Sequence, residues 1–457
     1  MRGRYRPRLW LGAGEMSRRI LAADRASEGG EQELMAIDEK VDIPLASVER
    51  LLDPFMRWLA RYGETSWDHQ TYFAGPMGRW AKSLYYRNRP LGMIAIAPMI
   101  LSEAAAPWAR RLFAPRYRFP IADAHYAMGF AYLSQVRGDS MLHGRAVHFL
   151  EELERDRCVG YSNRCWGYPF DWETRTGTIR RGTPLITTTP YVYEAFRAVH
   201  MIDRDPRWRE ALESMAQHAA EDIKDFPAPR GGSACSYTPF DRGGVVNASA
   251  YRACLLASAA VDLEEDRYWQ IARRNEEFVL GAQNPDGSWY YSIEGARDFV
   301  DHFHTCFVLK ALAKIERLNP DRTRWRAIER GTAYYLRHLV DPQGLPKPFS
   351  KAPRTTVYRR ELYDYAECVN LCVLLRDRIP EMNRLLKRVL DDLLARWVKA
   401  DGSFRSRELW FGWDNVPMHR WAQSQMFRSL SFLVLDERRD VNSGLGDTSN
   451  VRNLRTV

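Results

Sequence analysis

Apolar residues from about residue 120 onward recur at intervals of three or four positions, and strand-like alternation is almost absent. This spacing places apolar side chains along one face of an α-helix, so it predicts a succession of helices. The helices come in pairs, and the first helix of each pair is predicted to begin near one of the following residues: Asp123, Thr187, Asn247, His304, Asp364 and His419. Their spacing of roughly 55 to 65 residues predicts six repeated units.

The two helices of each predicted pair differ in composition. First helices carry small residues, as in 247–260, whereas second helices are rich in Arg and Glu, as in 268–280. Small residues suit a crowded inner ring, and charged residues suit a solvated outer ring. Second helices are predicted to begin near Ser140, Arg207, Arg267, Arg322 and Pro380. The pattern therefore predicts an all-α fold, an (α/α)6 toroid of six helical hairpins with extra N-terminal helices.

The same pattern divides the chain into four segments. They are a flexible N-terminal segment over 1–35, N-terminal helices packing on the toroid over 36–118, the toroid with the site over 119–436 and a flexible tail over 437–457. The stretch 91–113 is unusually apolar, but Pro98 interrupts it. We therefore interpret this stretch as a buried helix rather than a membrane span.

Composition and charge narrow the class of protein. The chain of 457 residues is 45% hydrophobic and 12% aromatic, which is enough for a packed core, and its formal net charge is +9. Basic residues are scattered along polar helix faces rather than gathered in blocks, so we expect no nucleic-acid partner. A solvated surface explains this charge, and an anionic ligand, such as a uronic-acid polysaccharide or a membrane surface, is the alternative.

Cysteine usage and hydropathy bear on the location of the protein. The seven Cys form no CxxC pair and lie mostly in apolar runs, which favours a reducing compartment. The basic N-terminal segment has an apolar stretch shorter than that of a secretory signal. No segment approaches the roughly 18 consecutive apolar residues of a membrane span. We therefore predict a soluble, cytoplasmic protein without stable membrane insertion.

The loops before the first helices should meet at one rim, because the inner helices of a toroid all point the same way. These loops combine Trp or Tyr with Asp, Asn, His or Arg. Pyranose rings have apolar faces and polar edges, so this mixture is typical of a sugar site. Our candidates for substrate binding are Trp166, Tyr168, Trp172, Asn247, Trp289, Tyr290, Tyr291, His302, Tyr363, Trp410, Trp413, Arg420 and Gln423. The alternative is that the aromatic residues only pack the loops onto the ring.

Acidic and basic side chains on the same rim permit two kinds of chemistry. Hydrolysis of a glycosidic bond needs one protonated and one ionised carboxyl group. A lyase or C5-epimerase instead removes the proton next to a uronate carboxylate with a Tyr or His base. Our catalytic candidates are Asp171, Tyr237, Asp241, Asp301, His304 and Asp364. Capping of helix N-termini is the alternative role for the carboxylates, and a buried hydrogen bond is the alternative for the imidazole.

The sequence predicts no metal and no cofactor. The spacing of Asp301 to His304, or of His302 to His304, permits a metal, but no third and fourth ligand is identifiable for either pair. The chain also has no GxGxxG, no Walker-type phosphate loop and no GxSxG elbow.

Five short motifs stand out within 120–435. They are CWGYPFDW at 165–172, YTPFD at 237–241 with Asn247 downstream, DGSWYY at 286–291, DHFHT at 301–305 and MHRWAQSQMF at 418–427. As a set they resemble a family of proteins encoded in bacterial exopolysaccharide and capsule gene clusters, often labelled squalene-cyclase-like or prenyltransferase-like because of their fold. The resemblance implies a six-hairpin, glycosidase-like toroid and a role in polysaccharide assembly or tailoring. It implies no established reaction.

These observations lead to one leading hypothesis and two alternatives. We predict a carbohydrate-active protein of exopolysaccharide biosynthesis or modification, either a glycoside hydrolase or a uronate lyase or epimerase, with exopolysaccharide machinery as partners. The glycan is expected to be acidic, because the rim carries Arg175, Arg242, Arg359, Arg360 and Arg420. A non-catalytic glycan-binding or polysaccharide-assembly protein is the first alternative. A terpene-cyclase-like enzyme is the second.

Overall fold

The computed structural model describes residues 42–353 and 356–444. Five helices precede the predicted repeats: α1 (Leu45–Tyr62), α2 (Thr71–Ala74), α3 (Pro76–Arg87), α4 (Arg89–Ala105) and α5 (Arg110–Phe113). The hairpins follow as α6 (Pro120–Arg137) with α7 (Ser140–Arg155), α8 (Thr189–Asp203) with α9 (Pro206–Gln217), α10 (Val246–Asp262) with α11 (Asp266–Gly281), α12 (His302–Leu318) with α13 (Arg322–His338), and α14 (Leu362–Leu375) with α15 (Glu381–Asp392). The last helix is α16 (Ser424–Gly444).

Nine short strands lie in the loops between these helices. They are β1 (Trp172–Thr174), β2 (Gly177–Ile179), β3 (Asp225–Pro227), β4 (Ser233–Cys235), β5 (Val300–Asp301), β6 (Phe349–Lys351), β7 (Tyr358–Glu361), β8 (Arg407–Leu409) and β9 (Trp413–Asp414), counted over the described ranges. The fold is therefore mostly α-helical, and the predicted (α/α)6 toroid is confirmed.

The inner ring consists of α6, α8, α10, α12, α14 and α16. Each inner helix contacts the next one, and α16 contacts α6, so the ring closes. The inner helices are buried on almost every side, which explains their small residues. At the closing contact, a Cβ atom on Gly129 of α6 would lie 2.6 Å from the ring of Phe427 of α16. Glycine at this position therefore permits the two helices to approach.

The outer ring has a member that the repeat pattern did not identify. Helices α7, α9, α11, α13 and α15 each pack on the inner helix that precedes them. The partner of α16 is α1, which comes from the other end of the chain. Phe55 of α1 stacks on Phe427 of α16 at a ring-centroid distance of 5.1 Å. The ring of six pairs is therefore closed by a helix that we had assigned to an additional N-terminal layer.

Two other expectations change. Helix α16 continues to Gly444, so the part of the predicted tail over 437–444 is helical. The predicted flexible segment 1–35 and residues 445–457 lie outside the described residues.

The apolar stretch 91–113 is helical but is not buried as expected, because Ile94 and Leu101 are 71% and 66% exposed. Among the described residues, no single helix is long and apolar enough to span a membrane.

Candidate functional site

Short antiparallel strand pairs shape the loops that precede the inner helices. β1 pairs with β2, β3 with β4 and β5 with β6, and β7, β8 and β9 form a three-stranded sheet. β5 ends at Asp301, directly before α12, and β7 ends at Glu361, directly before α14. Pairing with strands from distant loops thus fixes the backbone at the N-terminal ends of α12 and α14, where the sequence predicted the site.

His304 and Asp301 form a hydrogen-bonded pair at the start of α12. One Asp301 oxygen accepts from the His304 backbone N–H at 2.9 Å, and the other accepts from His304 Nδ1 at 2.6 Å. In the neutral ring Nδ1 therefore carries the proton, which leaves Nε2 as the acceptor. The Asp301 side chain is 2% exposed and that of His304 is 22% exposed. Nε2 of His304 has no hydrogen-bond partner among the described residues, so it is available to a ligand.

Aromatic rings surround the His304 imidazole. The rings of Phe303 and Tyr291 lie 4.3 and 4.6 Å from it, measured between centroids. Phe303 also contacts Tyr363 and Trp421 at 5.1 and 6.3 Å. These contacts join the loop before α12 to the start of α14 and to the segment before α16.

Arg420 continues this aromatic surface toward the loop before α8. Its guanidinium lies 4.5 Å from the ring centroid of Trp421 and 4.8 Å from that of Tyr168. One guanidinium nitrogen is 2.6 Å from an oxygen of Asp68, and both side chains are almost completely buried. The Arg420 guanidinium therefore contacts the rings of both Trp421 and Tyr168, and the Asp68 carboxylate balances its charge.

Tyr237 completes the cluster from the loop before α10. Its ring is 6.3 Å from that of Trp172, which in turn lies 5.3 Å from Tyr168. The Tyr237 hydroxyl accepts a hydrogen bond from Thr187 at 3.0 Å. Burial raises the pKa of Tyr237 well above its usual value of 10 and raises the pKa of Tyr291 to about 12. Both hydroxyls therefore remain protonated at neutral pH and can donate hydrogen bonds.

We call this set the rim cluster. It consists of Tyr168, Trp172, Tyr237, Tyr291, Phe303, His304, Tyr363, Arg420 and Trp421. Sequence reasoning missed Phe303, Trp421 and the supporting Asp68. Phe303 and Trp421 lie inside the motifs DHFHT and MHRWAQSQMF, whereas Asp68 precedes the repeats and had no sequence pattern to mark it.

Asp241 organises its own loop instead of facing a ligand. One carboxylate oxygen accepts from the backbone N–H groups of Tyr237 and Gly243 at 2.9 and 2.7 Å. The other accepts from both the backbone N–H and the hydroxyl of Thr238. Gly243 adopts a φ of 76°, as this tight turn requires. Since both oxygens are already used, the geometry gives Asp241 a structural role and not the catalytic role that we predicted.

Asp171 is likewise held by neighbouring groups. It forms ion pairs with Arg79 and Arg180, and it accepts from the Arg181 backbone N–H at 2.9 Å. That backbone hydrogen bond and the two guanidinium groups lower the pKa of Asp171 against the opposing effect of burial. The group remains ionised at neutral pH and is unsuited to act as a general acid.

Asp364 and His302 lie beneath the rim. His302 is fully buried, with Nε2 2.8 Å from the Tyr335 hydroxyl and Nδ1 3.4 Å from Asp364. Burial also raises the pKa of Asp364.

Sequence reasoning missed the neighbouring Glu361, which is 4% exposed and has one oxygen without a hydrogen-bond partner in the described part of the chain. Burial, and then the charge of Asp364, raise the pKa of Glu361 to about 8.

The other predicted site residues do not join the rim cluster. Trp166 and Trp289 are buried, and their indole N–H groups donate to backbone carbonyls of α7 and α11. Asn247 is buried at the start of α10, and the Gln423 amide bonds both backbone groups of Phe404 at 3.0 and 2.8 Å. The side chains of Trp166, Trp289 and Gln423 therefore tie loops to the ring, whereas the side-chain oxygen of Asn247 has no hydrogen-bond partner among the described residues. Three more lie on neighbouring loops: Tyr290, Trp410 and Trp413.

A separate cavity lies among the inner helices. Its lining includes Glu194, Arg197, Lys314, Arg317 and Arg428. Many of these charges are paired, since Lys314 bonds Glu194 at 2.5 Å and Arg197 bonds Asp262 at 2.7 Å. The lining therefore combines charged side chains with apolar ones such as Met201, Leu318 and Phe432.

Within residues 42–353 and 356–444, no group of three or more His, Cys, Asp or Glu side chains is placed to hold a metal ion. The Asp301, His302 and His304 spacing does not produce one, because His302 points into the core toward Tyr335.

The fold is similar to solved structures of carbohydrate-active enzymes. One is a cellobiose 2-epimerase from Bacillus thermoamylovorans, with a TM-score of 0.57 and 8% identity over 70% of this chain and 88% of that chain. Another is an unsaturated glucuronyl hydrolase specific for heparin, with a TM-score of 0.57 and 10% identity over 87% of this chain and 97% of that chain. A family 76 α-mannanase from Bacteroides thetaiotaomicron has a TM-score of 0.54 and 9% identity over 71% of this chain and 88% of that chain.

At these identities the likeness shows the fold alone, which is the six-hairpin, glycosidase-like toroid. A scan against protein-family models and a search of curated proteins gave no match.

Proposed function

We propose that this protein is a carbohydrate-active enzyme that moves a proton at a sugar carbon next to a carbonyl or carboxylate, as sugar epimerases and polysaccharide lyases do. The observation that carries the proposal is the Asp301–His304 pair, whose Nε2 is free beside aromatic rings. A neutral imidazole oriented by a carboxylate is suited to accept a proton. The likeness to a cellobiose 2-epimerase supports this class.

In the proposed step, Nε2 of His304 takes the proton from carbon, and the electron pair of that bond moves toward the adjacent carbonyl oxygen. Asp301 keeps the bond to Nδ1–H and stabilises the imidazolium that forms. The protonated hydroxyls of Tyr237 and Tyr291 donate to the developing negative oxygen. Return of a proton from water to the other face of the carbon, with release of the first proton from His304 to solvent, gives an epimer. Loss of the substituent on the next carbon, which takes the electron pair, gives the unsaturated product of a lyase.

A glycoside hydrolase is the second candidate, and Glu361 is the observation that favours it. With a pKa of about 8, this carboxyl is protonated at neutral pH, as a general acid must be. Its neighbour Asp364 would be the second carboxyl of the pair. Two of the other carboxylates predicted for hydrolysis, Asp171 and Asp241, are occupied by ion pairs or loop hydrogen bonds, and so we prefer proton transfer at carbon.

Incorporation of deuterium from D2O separates these candidates. The enzyme is incubated with reducing disaccharides and with uronic oligosaccharides, and C–H exchange is followed by NMR. We expect exchange at one carbon in the wild type and a loss of at least about 100-fold in His304→Gln. Hydrolysis without exchange would favour the Glu361 candidate. Glycan binding with neither reaction would favour a non-catalytic glycan-binding protein.

The chain offers a matched control for His304. His143 is also paired with an Asp, since its Nε2 is 3.2 Å from Asp203, and its side chain is 24% exposed against 22% for His304. It lies on the outer helix α7, away from the rim cluster. His143→Gln should keep full exchange activity, so an equal loss in both variants would contradict the role of His304.

The remaining parts of the proposal concern substrate and context. Arg175, Arg242 and Arg359 are exposed and able to meet an acidic glycan, whereas Arg360 and Arg420 are engaged with carboxylates of the protein. We place the enzyme in exopolysaccharide biosynthesis or modification with the machinery of that process, because of the five motifs. All seven cysteines are free and buried, which supports a cytoplasmic location.

A further inference from the structure

Exposed apolar side chains concentrate on the adjacent helices α3, α4 and α5. Six of them, each more than 60% exposed, define what we call the apolar platform: Met77, Trp80, Ile94, Leu101, Leu112 and Phe113. Single exposed apolar residues are common on protein surfaces, but a concentration of this kind marks a site of interaction.

The charge of this segment is almost entirely positive. Residues 76–118 contain eight Arg or Lys and one acidic residue, Glu103. Glu103 is buried and bonds Arg110 at 2.7 Å as well as Arg407, so it contributes no negative charge to the surface. Arg87, Arg89 and Arg111 are exposed beside the apolar platform. A surface that joins apolar side chains to cations, without exposed acids, is complementary to anionic lipid headgroups.

The longest apolar segment of the platform is bent and not straight. Within the described residues, only Arg89–Ala105 joined to Pro107–Phe113 has the length and composition of a membrane span, and the two parts meet at a bend of 113°. The residues from 90 to 102 carry no charge. An apolar segment that is bent and has cations at both ends suits the boundary between headgroups and acyl chains.

Buried ion pairs hold the platform in this orientation. Arg110 pairs with Asp414 of β9 as well as with Glu103, and Arg407 of β8 pairs with both carboxylates. The Trp67 indole also donates to the Ala114 carbonyl at 2.7 Å. The apolar side chains therefore face outward because the polar side of these helices is fixed to the toroid.

We propose that the apolar platform binds the surface of a bilayer that contains anionic lipids. Its apolar side chains enter the boundary of the acyl region, and Arg87, Arg89 and Arg111 contact lipid phosphates. Trp80 is suited to this depth, because indole rings prefer the membrane interface. Headgroup phosphates would pair with these cations at the same depth at which the apolar side chains enter the bilayer, and a protein partner is the occupant that the experiment below must exclude.

The platform adjoins the rim cluster. The Lys82 ammonium of α3 lies 5.6 Å from the ring centroid of Trp172, and Arg79 of α3 pairs with Asp171. A chain bound through the platform thus holds its candidate site near the lipid surface.

Vesicle flotation tests the proposal without any assay of catalysis. The full chain is mixed with phosphatidylcholine vesicles or with vesicles that also contain about 30% phosphatidylglycerol, and the fraction that floats is measured. We expect strong binding only to the anionic vesicles. The double substitution Met77→Gln and Ile94→Gln should weaken that binding about tenfold, since two apolar side chains leave the acyl boundary.

A matched pair of substitutions controls for lost surface hydrophobicity. Met141 and Val159 lie away from the platform and are 77% and 93% exposed, against 78% and 71% for Met77 and Ile94. Met141→Gln with Val159→Gln should bind vesicles like the wild type. Arg87→Gln with Arg89→Gln should lose most of the preference for anionic lipid, by about fivefold for each cation removed.

Two results would overturn the proposal. The first is wild-type flotation that does not differ between the two vesicle types or that survives in Met77→Gln with Ile94→Gln. The second is an absence of flotation for a chain that sediments as a dimer. If Met77→Gln with Ile94→Gln also converts that dimer into a monomer, the platform joins two copies of the chain and does not bind lipid.

Discussion

Four Asp side chains at the rim have different partners, and these partners decide what each carboxyl group can do. Asp301 orients the His304 imidazole, and Asp241 holds a tight turn with both of its oxygens. Asp171 is held between two Arg side chains, and Asp364 is buried beside His302. Of the four, only Asp301 bonds an imidazole whose other nitrogen has no hydrogen-bond partner among the described residues.

Glu361 leads to a prediction about pH. Its pKa of about 8 in the folded protein lies above the ordinary value of 4.5, so folding favours the protonated form. The stability that this carboxyl contributes is therefore complete below about pH 4.5 and is lost as the pH rises toward about 8. Glu361→Gln should unfold at nearly the wild-type temperature at about pH 5 and at a higher temperature at about pH 9, with a gain on the order of 1 to 4 kcal/mol.

Thermal unfolding by circular dichroism across this pH range provides the measurement. Glu277→Gln on the exposed face of α11 is the control for the loss of a carboxylate that is not buried. A difference for Glu361→Gln that is equally large at both ends of the range would refute the raised pKa.

For single residues, the sequence predicts which residue types lie near the site, but it does not predict the burial or the hydrogen bonds of each side chain. The sequence predicted Asp301 and His304 as separate candidates but not the hydrogen bonds between them, although a spacing of three residues at a helix start brings an N-cap carboxylate to the third backbone N–H. No local pattern distinguishes Asp241 from Asp301, since the hydrogen bonds of Asp241 depend on the turn around Gly243. Glu361 could not be predicted either, because its burial follows from how β7 meets β8 in space.

Among the elements, the inner and outer helices differ in how closely they are packed. Ala253 on α10 is fully buried between neighbouring helices, whereas Ala333 on the outer helix α13 is exposed. The contrast in composition predicted this difference correctly. The exposure of α4 was not predicted, because a low density of charge is equally typical of a core helix and of a surface that binds an apolar partner.

A matched pair of substitutions measures the packing of the two rings. Ala253→Leu adds volume to the crowded inner ring and should lower the free energy of unfolding by about 1 to 3 kcal/mol. Ala333→Leu makes the same chemical change on the solvent face of α13 and should alter stability by less than about 0.5 kcal/mol. Chemical denaturation of both variants is the measurement. Equal effects on the two helices would contradict the assignment of inner and outer rings.

For the whole molecule, the decisive feature is that the two ends of the described chain meet. Helix α1 packs on α16, and α16 contacts both α14 and α6. The repeat pattern predicted the number of units correctly but placed the complete ring within 119–436. Periodicity identifies similar segments along the chain, whereas the closure of the ring depends on a contact between residues such as Phe55 and Phe427 that are far apart in sequence.

This closure determines how the protein should unfold. If α1 were only an added layer, its loss would produce a separate early transition and leave the toroid intact. Because Phe55 is fully buried against α16, Phe55→Ala should instead weaken the whole ring, by about 3 to 5 kcal/mol, in a single transition. Far-ultraviolet circular dichroism and tryptophan fluorescence should report the same midpoint, and Leu101→Ala on the exposed platform should leave that midpoint unchanged. Two separated transitions in Phe55→Ala, with the main one at the wild-type midpoint, would show that α1 is an accessory to the toroid and not its sixth outer helix.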